Sequence, residues 1–142
     1  ADGKKIVLDE LIFKKVTSTT SNGKNPIVGT WNQLSSEYTL LDGTKGSHTS
    51  ATATRFYVYT PTNWMMIGHR DNKFESAMGG SYAIQNDKVK PIISVASFPL
   101  SNLEFDIAYR VEGDKLYTNG KATSTDGKKM TWSDVFQKVI GK

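Results

Sequence analysis

The chain has 142 residues, enough for one domain with its own core and too few for two ordinary ones. Hydrophobic residues at 37% and charged ones at 23%, with Ser and Thr abundant, suit strands with one wet face better than buried helices. The net charge of +4 is almost wholly lysine, the arginines being Arg55, Arg70 and Arg110, so no nucleic-acid interface is expected. The lack of cysteine excludes disulfides, thiolate nucleophiles and Cys-based metal sites, and no apolar run is long enough for a membrane span.

Asp2-Gly3-Lys4-Lys5, an apolar stretch and Lys15-Val16 echo Asp126-Gly127-Lys128-Lys129, an apolar stretch and Lys138-Val139. Two readings stay open: chance in a chain rich in these residue types, or the last strand of a preceding repeat. On the second, residues 1–16 form an extra strand, the polar residues 17–25 a linker closed by Pro26, and 26–142 the main domain. Val28-Gly29-Thr30-Trp31 then opens the first strand, over 30–41, with a glycine that bends the backbone and an indole that can plug one end of a barrel.

Asp42-Gly43 turns the chain, and strands are predicted over 52–60 and 63–70, joined across Pro61-Thr62. Asp71-Asn72-Lys73 turns into 74–78, Gly79-Gly80 marks a bulge or bend, and 82–85 continues to Asn86-Asp87. Pro91 demotes 88–98 to an edge or a broken strand. The clearest strand is 103–111, where apolar odd positions alternate with mostly charged even ones. Glu112-Gly113-Asp114 turns it into 115–118, Asn119-Gly120 reads as a bulge or tight turn, and Asp126-Gly127 leads to a final strand over 130–140. The fold class is therefore all-β: a small closed or nearly closed antiparallel up-and-down barrel of about 8–10 strands.

Val28-Gly29-Thr30-Trp31, Gly80-Ser81-Tyr82, the run from Tyr109 to Leu116 and the run from Trp132 to Val139 resemble the lipocalin-like, calycin-type families, in particular secreted barrel domains of unknown function from gut Bacteroidetes. The resemblance covers roughly 26–140. It implies an extracytoplasmic barrel without catalytic apparatus, in which the first-strand Trp31 packs under a basic residue of the last strand. Lys138 stands nearest that role, so Gly29, Trp31 and Lys138 are the expected barrel-closing residues.

No catalytic constellation is legible. His48, in a polar turn-rich stretch, and His69, near a strand end, lack a nucleophile context and metal-ligand spacing, and are expected in solvent or loops. Glu104 and Asp106 are expected on the surface, and no cofactor motif or metal site is present. An enzyme would need Glu37, Arg55 and His69 to gather at the barrel mouth.

The suggestive feature is aromatic. Candidate ligand-binding residues are Trp31, Arg55, Tyr57, Tyr59, Trp64, Met66, Tyr82, Tyr109 and Trp132, with the open end expected near Trp64, Met66 and Tyr82. Arg55, Tyr57 and Tyr59 share one strand face, and Phe56 and Val58 the other. If the first set points inward the lumen is polar and aromatic; if the second does, it is a hydrocarbon core. Barrels of this size are more often filled by their own side chains. The leading expectation is a non-enzymatic binding domain for a small apolar or amphipathic molecule, the alternative a structural or protein-interaction module of a larger exported protein, with a filled core and a protein partner or upstream domain.

Overall fold

A computed structural model describes residues 25–99 and 102–140. The extra strand over 1–16 and all of the linker before residue 25 lie outside the described residues. Nine strands follow in order: β1 (Gly29–Thr39), β2 (Lys45–Thr49), β3 (Thr54–Tyr59), β4 (Asn63–Arg70), β5 (Lys73–Gln85), β6 (Lys88–Ala96), β7 (Leu103–Glu112), β8 (Lys115–Ser124) and β9 (Lys129–Lys138). All pairings are antiparallel, and β1 closes on β9 from Trp31↔Lys138 to Thr39↔Thr131. On its other edge β1 pairs first with β3, from Gly29↔Tyr59 to Asn32↔Phe56, and then with β2, from Ser35↔Thr49 to Thr39↔Lys45. Eight strands thus form the closed barrel, and β2 is an extra strand laid along the outer half of β1.

The tight connections follow from local chemistry. The β4–β5 and β5–β6 hairpins turn on Asp71-Asn72 and Asn86-Asp87, all four residues at φ between 51° and 58°, a conformation that Asn and Asp tolerate and that matches the twist of the flanking strands. Asp42 Oδ1 accepts from the Thr44 amide at 2.8 Å in the β1–β2 turn. The alternation of 103–111 is realised in β7, with Glu104 and Arg110 outside and Phe105 and Ile107 half-buried. Asp106 reaches Lys88 across the surface at 2.8 Å.

Two elements, β2 and Asn119-Gly120, differ from the sequence expectation, while the bulge at Gly79-Gly80 and the unpaired edge at Pro91 follow it. Lys45–Thr49 is a strand although Lys45 and Gly46 carry little strand propensity, because pairing with β1 buries His48. The 74–78 and 82–85 segments are one strand, the glycine pair placing only a bulge between Gly79 and Gly80 in the ladder to β6. Asn119-Gly120 does not turn; β8 runs straight through it, and the glycine serves the side chain of Trp132 opposite. A Cβ on Gly120 would stand 2.0 Å from Trp132 Cε2 and Cζ2, so the missing side chain is the space in which the indole lies. Finally, β6 is a full strand against β5, from Met78↔Ala96 to Gln85↔Lys88, yet pairs with β7 only at Lys88↔Ala108 and Val89↔Ile107. Pro91, with no amide proton to give, follows where that ladder stops.

The core sits at the end where β1 begins. Ile27, Trp31 and Leu116 are wholly buried and Phe136 is 1% exposed, each such side chain contributing roughly 1.5–3 kcal/mol by leaving water. Trp31 Nε1 donates to Ile27 O at 2.7 Å, so the indole is buried without an orphaned donor. Lys138 Nζ lies 5.4 Å from the centre of the Trp31 ring. Gly29 has φ 143°, which a side chain would resist, and its Cβ position is 3.1 Å from Lys138 Cε.

Candidate functional site

Above this plugged end the barrel encloses a cavity of about 380 Å³, at the small end of ligand-binding pockets. The interior is therefore not filled by its own side chains. Strand alternation decides what faces it: Arg55, Tyr57 and Tyr59 line the cavity, whereas Phe56 between them is 39% exposed on the outer surface. The register carries the same phase round the barrel, Tyr57 standing opposite Met66 and Met66 opposite Met78.

The cavity has two unlike walls. On one side Met78 of β5, Pro91 and Ile93 of β6, and Phe105 and Ile107 of β7 form an apolar surface. On the other, Gln33 and Ser36 of β1, Thr118 of β8 and Asp134 of β9 meet Arg55 of β3. Tyr38, Leu40, Arg70, Glu75, Met130 and Trp132 stand toward the end away from Trp31 and form the mouth. There Phe105 and Trp132 approach edge to face with ring centres 6.4 Å apart.

Glu75 links the two basic groups. Its Oε2 accepts from Arg55 Nη2 at 3.0 Å and its Oε1 from Arg70 Nε at 2.9 Å. Burial pushes this carboxyl upward, but the two guanidinium groups outweigh it and hold it below the usual range. Asp134 is in the opposite situation. It is 5% exposed, and burial pushes its carboxyl up to about 6 despite the opposing influence of Ser36, Arg55, Thr118 and Gln33. Its Oδ2 accepts from Thr118 Oγ1 at 3.4 Å, while Oδ1 has no hydrogen-bond partner among the described residues. Burial likewise holds the Tyr57 and Tyr59 phenols protonated far beyond neutral pH.

His48 is a correction to the sequence reading. It is 5% exposed rather than in solvent, and its Nε2 donates to Gln33 Oε1 at 2.7 Å. Burial, then Arg55 and Arg70, lowers its pKa, so the ring is neutral and buttresses Gln33 from the second layer. His69 is half-buried on the outward face of β4 beside Phe74, their ring centres 6.3 Å apart. Glu37 is exposed on the opposite phase of β1 from Ser36, so Glu37, Arg55 and His69 do not gather.

Of the candidate ligand-binding residues, Arg55, Tyr57, Tyr59, Trp64 and Trp132 line the cavity. Trp31 lies beneath it in the plug, and Met66, 3% exposed, packs in the core. Tyr82 is also structural: its hydroxyl donates to Thr60 O at 2.6 Å and accepts from Asn25 Nδ2 at 3.1 Å, tying the chain entry to the closed end. Tyr109 packs against the core without lining the cavity. The mouth expected near Trp64, Met66 and Tyr82 is therefore at the other end, because those residues sit where β4 starts and β5 finishes, next to Trp31. Sequence reasoning missed Gln33, Ser36, Thr118 and Asp134. The phase of β9 held the signal for the last, since Trp132, Asp134 and Phe136 alternate onto one face.

Among the described residues no group of three or more His, Asp or Glu is placed to hold a metal ion, and no helix is long and apolar enough to cross a membrane. The fold and the cavity define the class: a small closed antiparallel β-barrel with an amphipathic interior. No family model matches the chain, and no curated protein matches it in sequence. Among solved structures, the crystal structure of Rv2717c from M. tuberculosis is similar at a TM-score of 0.49 and 11% identity, over 82% of this chain and 94% of that one.

Proposed function

We propose that the protein is a non-enzymatic, lipocalin-like binding domain that holds a small amphipathic molecule inside the barrel. The observation that carries this reading is the cavity of about 380 Å³ with one apolar wall, an aromatic mouth and buried polar atoms on the facing wall. Three polar atoms of cavity-lining side chains, Arg55 Nε, Trp64 Nε1 and Asp134 Oδ1, lack partners among the described residues, and a buried unpaired polar group costs roughly 1–3 kcal/mol. Those atoms are covered by other protein atoms, and a turn of their side chains toward a guest would recover that free energy. An extracytoplasmic setting, and kinship with the Bacteroidetes barrel domains, belong to the same proposal and rest on the sequence resemblance.

The test is uptake of N-phenyl-1-naphthylamine, an uncharged dye that brightens in apolar surroundings. The protein should raise its emission saturably, and Ile107→Trp, which places an indole where Ile107 lines the cavity, should abolish the rise while leaving the strand signal in circular dichroism intact. Equal uptake by both proteins would place the dye elsewhere and refute the reading.

A protein-interaction module is the second reading. It is favoured by Ile92 and Val95 of β6, 65% and 66% exposed, beside the stretch of that strand left unpaired with β7 among the described residues. Ile92→Lys with Val95→Lys should then change self-association or partner capture without altering dye uptake.

A further inference from the structure

We propose that the guest is an uncharged molecule whose polar end both donates and accepts hydrogen bonds, the chemistry of a primary amide, and that carboxylates and amines are discriminated against. The inference rests on the binding reading above and adds the chemical class of the ligand.

Charge balance is the first argument. The charged side chains that line the cavity are Arg55, Arg70, Glu75 and Asp134, two of each sign, so no net charge is left for a guest to neutralise. A charged guest would leave water for a site that offers it no uncompensated counter-charge, which is costly.

Occupancy of the guanidinium groups is the second. A ligand carboxylate is best held by the two-pronged face of an arginine. Glu75 already takes Arg55 through Nη2 and Arg70 through Nε, so an incoming anion would meet the Glu75 charge beside either guanidinium. An amine meets the converse obstacle. Asp134 is the available anion, but it lies within the field of Arg55, which stabilises its charge and repels a second cation.

The third argument is the kind of bond left unmade. Arg55 Nε and Trp64 Nε1 can only donate, while Asp134 Oδ1, ionised above about pH 6, can only accept. Arg55 Nε on β3 and Asp134 Oδ1 on β9 ask for a guest with both an acceptor and a donor at its polar end, while Trp64 Nε1 stands four steps along the β3–β4 ladder, toward the closed end. A carboxylate offers no donor and an ammonium no acceptor, whereas an amide offers both. The apolar wall of β5 to β7 receives the remainder.

The experiment is displacement of bound N-phenyl-1-naphthylamine at about pH 7.5 by four eight-carbon chains: octanamide, octan-1-ol, octanoate and octylamine. Octanamide should displace the dye at concentrations at least about tenfold lower than octanoate or octylamine, with the alcohol between. Octanoate or octylamine matching the amide would overturn the proposal. Absence of dye uptake would instead defeat the binding reading beneath it. Asp134→Asn and Arg55→Gln provide the second measurement. Removing the anion should improve octanoate relative to octanamide by about fivefold or more, and removing the cation should do the same for octylamine, with folding checked by circular dichroism. Unchanged ratios in both folded variants would refute the assignment.

Discussion

Asp134→Asn is expected to stabilise the protein at neutral pH and to lose that advantage in acid. Burial sets the folded carboxyl at about 6 against 3.8 unfolded, a difference of about two units. The folded state thus binds this proton more tightly, so ionised Asp134 opposes folding above about pH 6, and the penalty fades as the pH falls toward 4. At 1.36 kcal/mol per unit the penalty is about 3 kcal/mol at pH 7.5. Substitution by the uncharged amide removes it but weakens the hydrogen bond from Thr118 and the charge attraction of Arg55 by about 1 kcal/mol, leaving a net gain of about 2 kcal/mol. For a domain of this size that is a rise in Tm of about 8 °C. The assay is thermal unfolding of both proteins from about pH 4 to 8, followed by far-ultraviolet circular dichroism. Glu75, held low by its arginines, stabilises above its unfolded pKa and loses that effect as the pH falls through its folded one; it is common to both proteins and cancels in the difference. A difference in Tm that stays flat across the range, or one that grows toward acid, would refute the account of Asp134.

Leu116→Ala, at a fully buried site, should lower stability by about 2–5 kcal/mol in urea titrations, whereas Val95→Ala, 66% exposed, should stay within about 0.5 kcal/mol. Gly120→Ala places a methyl 2.0 Å from the Trp132 ring and must push the indole aside. A loss of about 1–3 kcal/mol, a shift in tryptophan emission and weaker dye uptake are expected, and unchanged emission would show that the ring does not depend on that gap. In hydrogen exchange, amides of β6 from Ile92 to Ala96 that face β7 should exchange faster than those of β8 and β9, which are laddered on both sides; equal protection would mean that β6 and β7 are tied more firmly than Lys88↔Ala108 and Val89↔Ile107 imply.

The sheet was legible where local chemistry and burial agree. In β7 the alternation names both faces, and Asp71-Asn72, Asn86-Asp87 and Glu112-Gly113-Asp114 mark the hairpins on either side of long strands. β2 was not legible, because its strand character comes from lying against β1 and not from its own residues. Gly120 misled for a related reason: a glycine that makes room for a ring on the neighbouring strand has the same letter as one that turns the chain. The aromatic part of the site could be listed from the sequence, but not divided into plug and cavity, since that depends on which end of each strand approaches Trp31. The polar wall needed register as well. Gln33, Ser36, Thr118 and Asp134 are unremarkable letters until Ser36↔Asp134 and Thr118↔Asp134 bring them side by side.

Since, among the described residues, β6 and β7 are laddered only at Lys88↔Ala108 and Val89↔Ile107, the wall is a ring with one soft joint. Any change in its girth is expected there, between Ile93 and Phe105, and not at the plug around Trp31. If the barrel does hold a guest, that joint and not the rim at Tyr38 and Trp132 is where the wall resists least.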